Sequence, residues 1–132
     1  MKTILVVEDY AVTSQFICQK LQSKGYKTLA ASSGKEAYDV LTQPESHVNL
    51  VLSDFNMPDV RGFDLLRTIK NHPDLENIPV VFLTTEILSE KVQIAKETGM
   101  AGFIQKPYRE DVFFNEIKRA MNTAGSIVNI IN

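Results

Sequence analysis

The sequence predicts an α/β fold, a doubly wound sheet of five parallel strands with five helices on its two faces. Two observations predict it. Short apolar runs rich in β-branched residues alternate with amphipathic stretches of helical period, five times along the chain. The connections are too short for other structure, so successive strands run parallel and are crossed over by helices. Such a sheet is covered on both faces.

The first strand is Thr3–Val7, a continuous apolar run. Ser14, Ile17, Cys18 and Leu21 then fall on one face of a helix, which Gly25 ends. Residues 26–31 read as the second strand, and Ala37, Val40 and Leu41 as a helical stripe closed by Pro44. Residues 47–53 form the third strand, and Leu65, Leu66 and Ile69 mark the helix that follows Gly62. Residues 79–83 are the fourth strand; Leu88, Val92 and Ala95 make a weaker stripe, capped near Gly99. Residues 100–105 are the fifth strand, and Phe113, Ile117, Ala120 and Met121 the last helix. The first, third and fourth strands have the strongest apolar runs and are expected at the centre of the sheet.

A chain of 132 residues fits one domain and buries enough surface to fold without disulfide or metal staples. Apolar residues make up 44% and charged residues 23%, which argues against global disorder. Fourteen basic against sixteen acidic residues give a net charge of −2, with no basic excess for nucleic acid or an anionic membrane. The single cysteine, Cys18, excludes an internal disulfide and a thiolate zinc cage. No apolar stretch approaches the ~20 residues of a membrane span, and the N-terminus lacks the features of a signal peptide. A cytoplasmic location is the expectation.

In an open parallel sheet, chemistry gathers at the carboxyl ends of the strands. Those ends carry Glu8 and Asp9, Asp54, Thr84 and Lys106. Three carboxylates brought together repel by about 1 kcal/mol per pair in water and by more in a cleft. A proton, a metal or a cation must neutralise them. Lys106 supplies one positive charge, and an open site of a few oxygens suits Mg2+. No histidine or cysteine is placed for a closed zinc site; His47 and His72 read as surface residues.

Four separated motifs then carry a resemblance. They are Val6-Val7-Glu8-Asp9, Ser53-Asp54-Phe55-Asn56-Met57-Pro58-Asp59 with Gly62, Phe82-Leu83-Thr84-Thr85-Glu86, and Gly102-Phe103-Ile104-Gln105-Lys106-Pro107. The chain resembles the receiver domain of two-component response regulators, especially single-domain chemotaxis regulators of the CheY type. The resemblance covers residues 2–121 and implies a flavodoxin-like strand order of 2-1-3-4-5. A receiver domain over residues 1–121 and a hydrophobic tail over 122–132 is the expected division.

The resemblance implies that Asp54 is the phosphoacceptor. It places Asp9 as a direct Mg2+ ligand, Glu8 on a metal-bound water, and the main-chain carbonyl of Asn56 as a further ligand beside Asp54. Lys106 and Thr84 would contact the phosphoryl group, Thr84 and Phe103 would switch together, and Lys106-Pro107 would be a cis peptide. Asn56, Thr85 and Glu86 would tune the lifetime of the phosphoryl group. Two positions depart from the chemotaxis pattern: Glu8 stands for an aspartate, and Phe103 for a tyrosine.

The implied function is a phosphorylation-activated signalling switch, not an enzyme on separate substrates, that promotes its own phosphorylation and dephosphorylation. Its expected partners are a histidine kinase or phosphotransfer protein and a target protein. The target would bind the face made by the fourth helix, fifth strand and fifth helix; neither nucleic acid nor membrane is expected. The alternatives are a phosphorelay intermediate or a receiver within a larger regulator. A small phosphohydrolase with an aspartate nucleophile fits less well, because its paired acids would stand one residue apart after the first strand. An FMN carrier is disfavoured because Glu8 and Asp9 would repel a phosphate there. A binding module with a vestigial site is disfavoured because every family position holds a workable group. Ile127, Val128, Ile130 and Ile131 make the tail too apolar for a solvated end, while Gly125 and Asn129 argue against continuing the helix. A strand added at a sheet edge, or a contact with a neighbouring chain, is expected there.

Overall fold

The structure, a computed structural model, describes residues 1–55, 62–85 and 90–131, with 123–131 described by backbone only. The strands are β1 (Thr3–Val7), β2 (Lys27–Ala31), β3 (Leu50–Asp54), β4 (Val80–Thr84) and β5 (Gly102–Gln105). The helices are α1 (Ala11–Gln22), α2 (Gly34–Leu41), α3 (Gly62–Lys70), α4 (Glu90–Thr98) and α5 (Glu110–Ile131). All strand pairs are parallel, in the order β2-β1-β3-β4-β5. The strongest apolar runs therefore occupy the centre, as expected.

Alternation along each strand divides the core into two layers. Ile4, Val6, Leu50, Leu52, Val81, Leu83 and Ile104 face Ile17 and Leu21 of α1 and Phe113, Ile117 and Ala120 of α5. Leu5, Val7, Val51, Val80 and Phe82 face Ala37 and Leu41 of α2, Leu65, Leu66 and Ile69 of α3, and Ala95 of α4. Burial on both faces explains why these strands read as unbroken apolar runs. Cys18 packs, partly buried, against the α1–α5 layer.

Local chemistry sets the element ends. Gly25 and Gly99 close α1 and α4 at φ of +91° and +116°, a conformation that costs glycine nothing. Ser33 caps α2, accepting a hydrogen bond from the Glu36 N–H at 3.1 Å. Ser33→Ala is expected to cost about 1 kcal/mol of stability, measurable by urea unfolding.

Several boundaries move from the sequence reading; β4 runs Val80–Thr84 against the expected 79–83, and β5 starts at Gly102 against the expected 100. β2 starts at Lys27 because the Tyr26 N–H turns back to the Leu21 carbonyl at 3.2 Å. β3 starts at Leu50, three residues later than 47, and includes Asp54 as its last residue. Asn49 instead accepts the Thr3 N–H on its side chain at 2.8 Å, joining the strand starts. The largest change is α5, which continues through residues 122–131 as helix where the sequence reading ended it and allowed a strand. A glycine costs an already propagating helix only about 1 kcal/mol, so Gly125 weakens the helix without breaking it.

Candidate functional site

The parallel sheet brings four strand ends to one edge. β1 delivers Glu8 and Asp9, with the turn held by the Glu8 N–H on the Ala31 carbonyl at 3.0 Å. β3 ends in Asp54, and the next N–H, of Phe55, bonds the Leu83 carbonyl at 3.0 Å. β4 ends in Thr84, whose carbonyl accepts the Lys106 N–H at 2.8 Å. Carboxylate oxygens of Glu8, Asp9 and Asp54 lie within 4.8 Å of one another. Lys106 Nζ stands 3.6 Å from Asp54 Oδ1. The structure thus brings together Glu8, Asp9, Asp54 and Lys106, and Thr84 joins the same sheet edge through its main-chain carbonyl.

Their environments differ. Glu8 is only 7% exposed and Thr84 2%, whereas Asp9 is exposed. Burial pushes Glu8 up to about 7, reinforced by the charge of Asp54, a hydrogen bond with it, and the charge of Asp9; Lys106 opposes the shift. Glu8 Oε2 is buried without a hydrogen-bond partner. Such an atom is costly unless something pairs with it. Three carboxylates and one ammonium leave two negative charges when all are ionised. An all-oxygen site with that charge and an orphaned buried oxygen fits a hard divalent cation such as Mg2+.

Behind the site, Phe103 of β5 is register partner to Phe82 of β4. Its ring is partly buried against the α2–α4 layer, with Lys96 Nζ 5.3 Å from the ring centroid. The Lys106–Pro107 peptide is cis. Thr85 is exposed, while Asn56 and Glu86 lie outside the described residues. His47 and His72 are away from the carboxylates, lining a groove of about 470 Å³ beside Leu41, Val48 and Leu75. Sequence reasoning missed the contact of Lys20 with Tyr108. Its faint signals were the i, i+4 pair Phe16 and Lys20 on α1 and an aromatic two residues past Lys106. Among the described residues, no helix is long and apolar enough to cross a membrane.

Residues 4–118 match the response regulator receiver domain family. The chain belongs to that family. Among its relatives is the two-component response regulator ORR3 of rice, 34% identical over 106 residues, 80% of each chain. The polar-differentiation response regulator DivK of Brucella ovis is 28% identical over 123 residues, 93% of this chain and 98% of DivK. Among solved structures, the chemotaxis response regulator CheY4 of Vibrio cholerae superposes with a TM-score of 0.83 at 28% identity, covering 91% of this chain and 98% of CheY4. This receiver is a phosphorylation-activated signalling switch of the two-component class, not a metabolic enzyme. Receiver domains accept phosphoryl groups from histidine kinases, bind Mg2+ and act on downstream targets.

Proposed function

We propose that this receiver takes a phosphoryl group from a phosphohistidine onto Asp54 and answers by changing its affinity for a partner protein. The observation that carries the reading is the placement of Asp54, whose carboxylate lies within 4.8 Å of those of Glu8 and Asp9 and 3.6 Å from Lys106 Nζ. A carboxylate is a weak nucleophile, so the site must position the phosphoryl group and offset its charge. Asp54 attacks phosphorus and the imidazole leaves. Lys106 offsets charge on the phosphoryl oxygens, and the Thr84 hydroxyl hydrogen-bonds one of them. Asp9, Asp54 and the Asn56 carbonyl would hold Mg2+ directly, with Glu8 on a metal-bound water, and the ion would supply the remaining positive charge.

Phosphoryl contact at Thr84 would draw Phe103 inward, altering the face made by α4, β5 and α5. Likeness to the chemotaxis response regulator CheY4 supports a chemotaxis-like output; in this reading that face carries it, in the cytoplasm. In this reading residues 1–121 are the receiver, and the apolar segment 122–132 makes a contact of its own. The test is incubation with Mg2+ and candidate histidine kinases, with mass-spectrometric mapping of acid-labile phosphate. Label on Asp54 is expected; transfer to another residue would refute the assignment.

The same reading sets the lifetime. Asn56 and Glu86 are polar and short enough to leave the path of a hydrolytic water open, whereas Thr85 narrows it. Self-dephosphorylation within seconds to a few minutes is expected, a barrier of about 19–20 kcal/mol. Thr85→Ala should speed the loss of label and Asn56→Arg should slow it. Label persisting for hours at neutral pH with Mg2+ would favour a slow relay instead.

A further inference from the structure

Lys20 projects from α1 into an aromatic cluster. Its Nζ donates to Tyr108 Oη at 3.0 Å. The same Nζ stands 4.8, 4.5 and 4.9 Å from the ring centroids of Phe16, Tyr108 and Phe113. Tyr108 in turn stacks on Phe113, centroids 4.9 Å apart at 22°. Phe113 is fully buried in the α1–α5 core layer, so the cluster is rooted in the domain. A lysine with three ring faces and a phenol oxygen around its ammonium is held much more firmly than one in water.

The partner's position gives this contact meaning. Tyr108 lies two residues beyond Lys106, in the connection from β5 to α5. At its start the Lys106 N–H bonds the Thr84 carbonyl at 2.8 Å, and at its end the Phe113 N–H bonds the Arg109 carbonyl at 3.0 Å. Pro107 between them has no N–H to donate. Among the described residues, the Arg109 side chain pairs locally with Asp111, at 2.7 Å. Among the described contacts, Tyr108 on Lys20 and Phe113 is what ties the middle of this connection to the body of the domain. Lys106 needs such support. Its 3.6 Å distance to Asp54 is longer than the roughly 2.8 Å of a tight charge-assisted hydrogen bond, so a shift of the backbone that carries it changes the reach of its charge.

We propose that Lys20 is a positioning residue. Through Tyr108 it fixes the β5–α5 connection and with it the reach of Lys106 to the phosphoryl group on Asp54. The inference rests on the assignment of Asp54 and Lys106 above. It places a determinant of phosphoryl binding on α1, outside the carboxylate cluster.

The test uses the full chain with beryllofluoride, a mimic of the phosphoryl group on Asp54. Beryllofluoride affinity at saturating Mg2+, Mg2+ affinity alone and thermal stability are compared in wild type, Lys20→Met, Lys20→Arg and Tyr108→Phe. Lys20→Met keeps the stem but loses the charge and the donor. It is expected to weaken beryllofluoride about fivefold, the scale of one cation–π contact with its hydrogen bond, while leaving Mg2+ affinity unchanged. Lys20→Arg should restore most of the loss. Tyr108→Phe, which keeps the ring, should weaken beryllofluoride about twofold, and it serves as the readout if Lys20→Met does not fold. A Lys20→Met chain that binds beryllofluoride like wild type overturns the inference, as does a parallel loss of Mg2+ affinity, which would mark general loosening. An arginine variant no better than methionine also overturns it. Wild type that takes up no beryllofluoride overturns the Asp54 assignment itself, a result distinct from all of these.

Discussion

Asp54→Asn is expected to abolish acid-labile phosphorylation. The amide is nearly isosteric with the carboxylate but is no nucleophile at neutral pH, so the loss should exceed about 1,000-fold, more than 4 kcal/mol of barrier. The fold should survive, because Asp54 sits at the end of β3 beside the cleft and not within either core layer. Stability without Mg2+ should hold or rise near pH 8. The charge of Asp54 and its hydrogen bond both raise the Glu8 pKa, so removing that charge lets Glu8 ionise more easily. Radiolabel transfer and urea unfolding with and without Mg2+ check the two halves separately. A variant labelled at the wild-type rate would place the phosphoacceptor elsewhere.

The second large effect is on pH. Glu8 is raised from an ordinary 4.5 to about 7 in the folded chain, chiefly by burial. The folded state therefore holds a proton that the unfolded state has already lost between these values. Stability rises with pH only where the unfolded state binds more protons; here the reverse holds. The Mg2+-free chain gains stability from this proton below about pH 4.5, and loses it as pH rises through 7. The loss amounts to about 3 kcal/mol. Mg2+ at the proposed site would need the same carboxylate ionised. Its affinity should be flat above about pH 7.5 and fall nearly tenfold per pH unit below 7, because each binding event must displace one proton. Calorimetric titration of Mg2+ between pH 5 and 8 gives the slope, and Glu8→Gln should flatten it. Affinity independent of pH over that range would show that Glu8 is ionised throughout.

Glu8 also shows how far the sequence could be read. An acid after a strand reads as a cap or a turn, and nothing local marks Glu8 as 7% exposed with Oε2 lacking a partner. The same limit applies to Thr84, placed at the site by its position after an apolar run, whose 2% exposure follows from the elements around it. The acids themselves were legible because a parallel sheet sends every carboxyl strand end to one edge, whatever the loops between. Phe103 could be singled out by resemblance, but its contact with Lys96 needed the packing of α4 on β5.

The sequence by itself determined the alternation of five strands and five helices, the central strands and the set of residues at the strand ends. Periods of two and 3.6 are properties of neighbouring residues, so a linear string carries them in full. Tertiary structure alone decided the depth of Glu8 and the hydrogen bond from Lys20 to Tyr108 across 88 positions. These depend on where rigid elements come to rest against one another. Contact between distant side chains is a sum over the whole packing, and no local pattern encodes it.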